Sequence, residues 1–482
     1  MPNTTNKPRI LLVAPYGIAL RDLLLNKELS GFLTETFDID VLTEVNFADT
    51  SEWGISRVVN QSQSGILTKL GRSLNHRSIA VRRWMDFKPY HVQQELMPLY
   101  DVLVGVDEIQ SVATPNYELW ARIGSSFIGS FLRRATSFFP RFGPVYKSLK
   151  RGDYVAVLAT HPTEGESNVI GSMANRCKVP LICWSMGVDN LQGGPLVMRP
   201  DMFLLWGPEQ EQYLQNHYKI FQPQLNDSTH SVIGALCHDT LAESNPDAFS
   251  EAYPHISPND VVVMFAAYTE TGYPGQPDTC REILNFFDKN DIDGHLVVRT
   301  RSDLDHVVWE KFQREEPDRV TLQSTKGVFF TKWSLNRTVS RAIELEEVEL
   351  YGATLKRATM IASAAFSTVA FDAMALGTPA LSLGLSTSPE SRRFMADFYA
   401  RGGSIIPALR YMDFITNEAH FESELMRILC GPQTNIPSEP NYRAYLEQVK
   451  PTSGASGSIA ANAISEFLSN YGVHMDRTKA EV

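Results

Sequence analysis

No pair of cysteines in this chain stands at redox or metal-binding spacing. The five cysteines, at 177, 183, 237, 280 and 430, form no C-x-x-C, and their odd number fits a reducing compartment better than a disulfide framework. No His/Cys cluster has zinc spacing. A run of about 18 apolar residues is missing, which excludes a membrane-spanning helix by sequence pattern. The first residues, MPNTTNKPR, carry no apolar stretch, so no signal peptide is expected there. There is no G-x-G-x-x-G after the first strand, no P-loop and no G-x-S-x-G elbow. Dinucleotide binding, P-loop NTPase chemistry and serine hydrolysis lose their sequence support with them. Basic excess is also lacking. A net charge of −11 argues against a general nucleic-acid binder. Neither an internal repeat nor a low-complexity tract is present.

What is there is ordinary for a globular protein: 482 residues, 43% hydrophobic and 21% charged. That length exceeds what one core usually supports, and two domains of about 200 residues each are the natural expectation. Short apolar runs alternate with helical patterns in two series, which predicts a parallel, doubly wound α/β sheet in each half. In the first series the strands are 9–14, 38–42, 100–106, 154–160, 179–184, 201–206 and a short one at 232–234, with a helix over 18–33. In the second they are 261–268, 295–300, 320–323, 359–364, a strand from Leu381, and 404–407, with helices over 277–289, 338–352 and 457–468. Pro- and Asp-rich residues 245–258 read as the linker between the two.

Open α/β sheets bind ligands at the carboxyl ends of their strands, so the residues there are the first candidates. Tyr16, Gly17 and Arg21 follow the first strand, and Arg21 suits an anion or is simply a surface arginine. His161, Glu164 and Glu166 follow the 154–160 strand. A carboxylate opening a helix there is held as an anion by the helix dipole, which suits a base or an acid–base relay. Asp189 follows the 179–184 strand. Asp239, in G-A-L-C-H-D, follows the last strand of the first series, where it reads as a nucleophile or as a helix cap. In the second series Thr269, Glu270, Thr271 and Gly272 follow the first strand, and Arg299 and Arg301 end the next. Those arginines suit a phosphate or a strand-end salt bridge. The pairs Asp38/Asp40, Asp291/Asp293 and Asp303/Asp305 match D-x-D, a pattern short enough to arise by chance, and no metal role is assigned to them. Glu344, Glu346, Glu347 and Glu349 read as a solvated helix face. Residues 60–150 mix basic and aromatic side chains, among them Arg82, Arg83, Trp84, Trp120, Arg133 and Phe138, as an anionic lipid surface or two amphipathic helices would require.

The chain is organised around Arg357 to Leu385, RATMIASAAFSTVAFDAMALGTPALSLGL. It reads as strand, turn, short buried helix, turn and strand. Ser367 and Thr368 are N-cap types, and Gly377 and Pro379 end the helix. A hydroxyl pair at a helix N-terminus is a phosphate site in waiting. The segment S-T-x-x-F-D-A-x-A-x-G-x-P resembles the nucleotide-binding segment of GT-B glycosyltransferases. It is similar to that segment in bacterial surface-polysaccharide transferases, CDP-glycerol glycerophosphotransferases and Kdo transferases. The usual pattern has Glu where this chain has Asp372.

That resemblance implies an α/β fold of two Rossmann-like domains in the GT-B arrangement with an interdomain cleft. Residues 1–244 are then the acceptor domain, 245–258 the linker, 259–456 the donor domain and 457–482 a terminal helix and tail. It implies a cytoplasmic glycosyltransferase, open to peripheral contact with the inner membrane. Such an enzyme moves a sugar, such as a CMP-activated ulosonic acid, from a nucleotide donor to a glycan or lipid-linked acceptor. No nucleic acid, metal or other cofactor is expected. Thr269 to Gly272, Arg299, Arg301, Ser367, Thr368 and Asp372 fall on the donor side; Tyr16, Gly17, Arg21 and Asp189 on the acceptor side; Asp239, Glu164 and His161 carry the chemistry. The alternatives are a glycerophosphotransferase, a non-hydrolysing sugar-nucleotide epimerase and a non-catalytic binding protein. VVRTRSD, where glycerophosphotransferases carry a K-x-H-P-like segment, counts against the first.

Overall fold

The computed structural model describes residues 7–14, 17–43, 50–60, 143–160, 165–185, 187, 191, 198–215, 225–268, 274–300, 306–324, 345–364, 367–385, 413–431, 444–447 and 455–473. The basic-aromatic region up to 142 and the expected strands at 100–106 and 404–407 lie outside them. The chain divides into two compact units. The first takes in Met1–Leu236 and Lys450–Val482, the second Cys237–Phe330 and Ile343–Val449.

The first unit is built on β1 (Arg9–Val13), β2 (Asp38–Thr43), β3 (Ile55–Asn60), β4 (Ala156–Thr160), β5 (Leu181–Trp184), β6 (Met202–Leu205) and β7 (Thr229–Val232). They form one sheet in the order β3-β2-β1-β4-β5-β6-β7, every described pair parallel. Parallel strands are covered on both faces, so their sequences are apolar throughout rather than alternating. RILLV, AVLAT, LICW and MFLL obey this and are almost wholly buried. The helices are α1 (Gly17–Leu25), α2 (Lys27–Thr36), α3 (Pro144–Arg151), α4 (Gly165–Cys177) and α5 (Pro208–Tyr213). The single helix expected over 18–33 is two. Asn26 takes an extended conformation and its side chain caps α2 by accepting from Leu29 N–H at 3.1 Å.

Asp40, part of one D-x-D match, is buried in mid-strand, where it accepts from Tyr154 Oη at 2.8 Å and pairs with Arg57. Its carboxylate is committed to holding β2 against β3 and β4.

The second unit opens with α6 (Leu236–Glu243), whose first residue belongs to the first, and α7 (Asp247–Ala252). The stretch 245–258 thus carries a helix and lies within the second unit, with Phe249, Tyr253 and Ile256 in its core. Its sheet is β8 (Val261–Ala266), β9 (Gly294–Thr300), β10 (Val320–Ser324), β11 (Met360–Ala364), β12 (Ala380–Leu383) and β13 (Asp413–Ile415), in the order β10-β9-β8-β11-β12-β13, again parallel. Its helices are α8 (Gln276–Lys289), α9 (His306–Glu315), α10 (Leu345–Arg357), α11 (Thr368–Leu376) and α12 (Glu418–Leu425). Val263, Phe265, Phe287, Trp309 and Phe312 fill one face of this sheet.

The terminal helix α13 (Ser456–Asn470) belongs to the first unit. Ser458 Oγ donates to Glu28 at 2.7 Å, and Ile464 and Leu468 border the same small apolar cavity as Ile10, Leu33, Ala156 and Leu158. Gly457 is required by the approach: a Cβ there would lie 1.9 Å from Asn26 Oδ1.

Candidate functional site

Each sheet has one place where the strand order reverses. In the second unit the chain winds β8, β9, β10 to one side and β11, β12, β13 to the other, so the reversal falls between β8 and β11. These two are paired with Ser363 opposite Ala266. Helices leaving adjacent strands on opposite faces open a crevice at the carboxyl edge, where such sheets take ligands. Ser367 and Thr368 follow β11, and residues 269–272 follow β8. The latter lie outside the described residues, as does Arg301.

At this edge Ser367 is extended (φ −144°, ψ 137°) and its Oγ accepts from Val369 N–H at 3.3 Å. The hydroxyl proton can then donate outward. Thr368 is the first residue of α11 and is exposed, on the positive end of the helix dipole. At the other end Gly377 takes φ +90° and its N–H returns to Ala373 and Met374 carbonyls. The short helix is therefore fixed at both ends, with its N-terminus held at the sheet's edge.

Arg299, which by sequence suits a phosphate or a strand-end salt bridge, makes a salt bridge here. It is buried beneath α10, donating to Gln323 Oε1 at 3.0 Å and pairing with Glu347 at 3.4 Å, with its guanidinium 4.0 Å from the centre of the Tyr351 ring. Glu347 of the expected solvated acidic face is thus turned inward, while Glu349 is exposed. Tyr351 continues the network by donating to Asp372 Oδ2 at 2.8 Å. Asp372 is itself buried. Its Oδ1 lies 3.3 Å from His238 Nε2 and 3.9 Å from Cys237 Sγ, and the Tyr445 ring packs against both His238 and Phe371. This cluster escaped the sequence reading because Cys237 and Asp372 are 135 residues apart. Only the adjacent Cys237-His238 pair was visible as a signal.

In the first unit the reversal falls between β1 and β4. Thr160 Oγ1 donates to Val13 O at 3.1 Å, and Ser167 Oγ donates to Thr160 O, which ties the two strand ends and the start of α4 together. Gly17 is the first residue of α1. Tyr16, His161 and Glu164 are outside the described residues, but the strands they follow are the two that flank this point. Arg21 is half-buried and paired with Asp22 at 2.6 Å. Asp189 also lies outside the described residues. The turn before it is set by buried Gln210, which donates to Ser185 Oγ and Gly187 O, both at 2.9 Å, and accepts from Trp206 N–H at 2.8 Å. Gln210 was not foreseen; a glutamine inside a Pro-opened helix gives no pattern of its own.

Asp239 sits in the first turn of α6, half-buried, on the helix that leaves the edge strand β7. Two strands separate β7 from β4, so those strand axes are about 14 Å apart. β4 and β7 thus belong to one parallel sheet, as the sequence suggested, with β5 and β6 between them.

No protein-family model matches the sequence, and no curated protein matches it. Solved structures do. The UDP co-structure of S. aureus MnaA is 12% identical and superposes with a TM-score of 0.51 over 96% of each chain. The UDP-GlcNAc 2-epimerase from Neisseria meningitidis bound to UDP-GlcNAc is 11% identical, with a TM-score of 0.50 over 96% of this chain and 100% of that one. The fold is GT-B. At these identities the likeness concerns the fold alone, two Rossmann-like α/β domains. Among the described residues no helix is long and apolar enough to cross a membrane.

Proposed function

We propose that this GT-B protein is a glycosyltransferase that moves a sugar from a nucleotide donor to a surface-glycan or lipid-linked acceptor. The observation that carries the reading is the coincidence of the β8/β11 reversal with Ser367 and Thr368 at the start of α11. A helix N-terminus with two hydroxyls offers a leaving nucleotide phosphate fixed donors and a favourable dipole, which is where charge builds as the sugar departs. On the acceptor side, the segments after β1 and β4 flank the other reversal, and Glu164 or His161 there is the candidate base. The donor favoured by the sequence resemblance is a CMP-activated ulosonic acid.

A second reading is favoured by one observation. The UDP-GlcNAc 2-epimerase of Neisseria meningitidis matches this chain over its whole length. An epimerase needs a nucleotide sugar and no acceptor. Calorimetry with CMP, CDP, UDP and GDP names the nucleotide, and incubation with UDP-GlcNAc alone separates the two readings. Appearance of the C2 epimer without acceptor makes the protein an epimerase. Sugar release that depends on an added acceptor makes it a transferase. Failure of all four nucleotides to bind removes both.

A further inference from the structure

The buried cluster behind α11 joins Asp372, which the sequence resemblance sets on the donor side, to a cysteine and a histidine that neither reading of the reaction requires. Cys237 and His238 lie in the first turn of α6 and Asp372 in α11, and all three are buried. One donor atom from each, Sγ, an imidazole nitrogen and a carboxylate oxygen, lies within 4.8 Å of the other two. The separations decide between two explanations. As direct hydrogen bonds, 3.3 Å for Nε2 to Oδ1 and 3.9 Å for Sγ to Oδ1 are long. As edges of a tetrahedron around one ion, they are close to what metal–ligand lengths of about 2.0–2.1 Å for N and O and about 2.3 Å for S give, roughly 3.3 and 3.6 Å.

We infer that Cys237, His238 and Asp372 form a zinc site. The donor set selects the metal: thiolate and imidazole are poor partners for magnesium or calcium and good ones for zinc. Charge supports it, since a thiolate and a carboxylate buried together balance a divalent cation. The surroundings are built as metal sites are. Tyr351 donates to Asp372 Oδ2 and leaves Oδ1 towards Cys237 and His238, and Arg299 holds the Tyr351 ring from the other side. Tyr445 and Phe371 cover the cluster with aromatic surface. Three protein donors leave one tetrahedral position to a water or small ligand. No step of either proposed reaction is routed through Cys237 or His238.

The test uses the full chain, purified with zinc in the medium and then dialysed against a weak chelator. Elemental analysis and native mass spectrometry are expected to find about one zinc per chain. Replacing zinc with cobalt should give a thiolate-to-cobalt charge-transfer band and the visible bands of a tetrahedral ion. Cys237→Ser, a one-atom change, should keep the circular dichroism spectrum and lose both the zinc and the charge-transfer band. Cys430→Ser, which alters the exposed thiol, should change neither. Tyr351→Phe should weaken zinc about 10- to 100-fold in competition with a chelating dye. A folded native chain that retains no zinc and shows no cobalt–thiolate band overturns the inference. So does a Cys237→Ser protein that binds the metal as the native chain does.

Discussion

Replacing Arg299 with methionine removes a guanidinium that is 8% exposed and takes its charge away from the Glu347 carboxylate, which is 13% exposed. Methionine fills much of the same volume, so the main change is electrical. Breaking one side of a buried pair costs about 3–5 kcal/mol, because the remaining charge is stranded away from water. The bond to Gln323, which also holds Thr354, goes with it. For the second unit unfolding on its own, a domain in the range of about 150–250 residues, that corresponds to a fall in Tm of roughly 6–20 °C. Adding Glu347→Leu removes the stranded charge and should recover most of the loss, since an apolar replacement of the whole pair is often neutral or better. Urea unfolding of the native, single and double variants, followed by circular dichroism, gives the coupling directly. A single variant within about 0.5 kcal/mol of the native chain refutes the reasoning. A cost equal to the sum of the separate losses in the double variant refutes it too. If Arg299 were instead a phosphate ligand, its loss would lower nucleotide affinity at little cost in stability.

Two further predictions concern pH. Burial, then the bond to Asp40, pushes Tyr154 from its ordinary 10.0 up to about 12, so its neutral form is the folded one. The stability it lends is intact below pH 10 and lost as pH climbs through about 12. Tyr154→Phe should flatten that alkaline slope in unfolding experiments, and an unchanged slope would contradict the assignment. Burial, then the neighbouring His255, lowers His295 from 6.5 to about 4, so its stabilisation is complete above pH 6.5 and lost as pH falls through about 4, worth on the order of 3 kcal/mol at most. His255 and His295 both meet Thr321 Oγ1, at 2.9 and 2.8 Å, and a hydroxyl has one proton to give. One ring therefore accepts and the other donates, and a His295 ring that titrates by NMR at the ordinary value would sink this account.

The strands buried on both faces were legible because a parallel strand announces itself as an unbroken apolar run, and β1, β4, β5, β8 and β11 fall where such runs stand. The edges were not. β3 reads ISRVVN and β13 is three residues long, and both lie at sheet margins where polar side chains are tolerated. β7, THSV, is another edge; it starts three residues before the apolar V-I-G that marked it in the sequence and shares only Val232 with it. The order of the strands is set by tertiary pairing, and it decides which loops share a crevice. Linear reading placed Asp239 and Glu164 after different strands of one parallel sheet, and only the sheet order shows that β7 is at a margin and β4 at the reversal. The start of α11 was legible from Ser367, Thr368, Gly377 and Pro379, each a local signal. The partners of Asp372 were not, since Tyr351, His238 and Cys237 come to it from two other helices.

Thr368→Glu puts a carboxylate where the nucleotide phosphate is proposed to bind, at the start of α11. Thr368 is exposed, so no packing is lost, and a carboxylate in the first turn of a helix favours the helix itself. The same charge repels a phosphate at that end, by about 1 kcal/mol in water-like surroundings and about 4 kcal/mol in protein-like ones at 4 Å. Calorimetry with whichever of CMP, CDP, UDP and GDP binds the native chain should show at least about fivefold weaker binding in the variant, with a Tm equal to the native value or higher. Undiminished affinity in a folded Thr368→Glu protein would mean that the phosphate lies elsewhere.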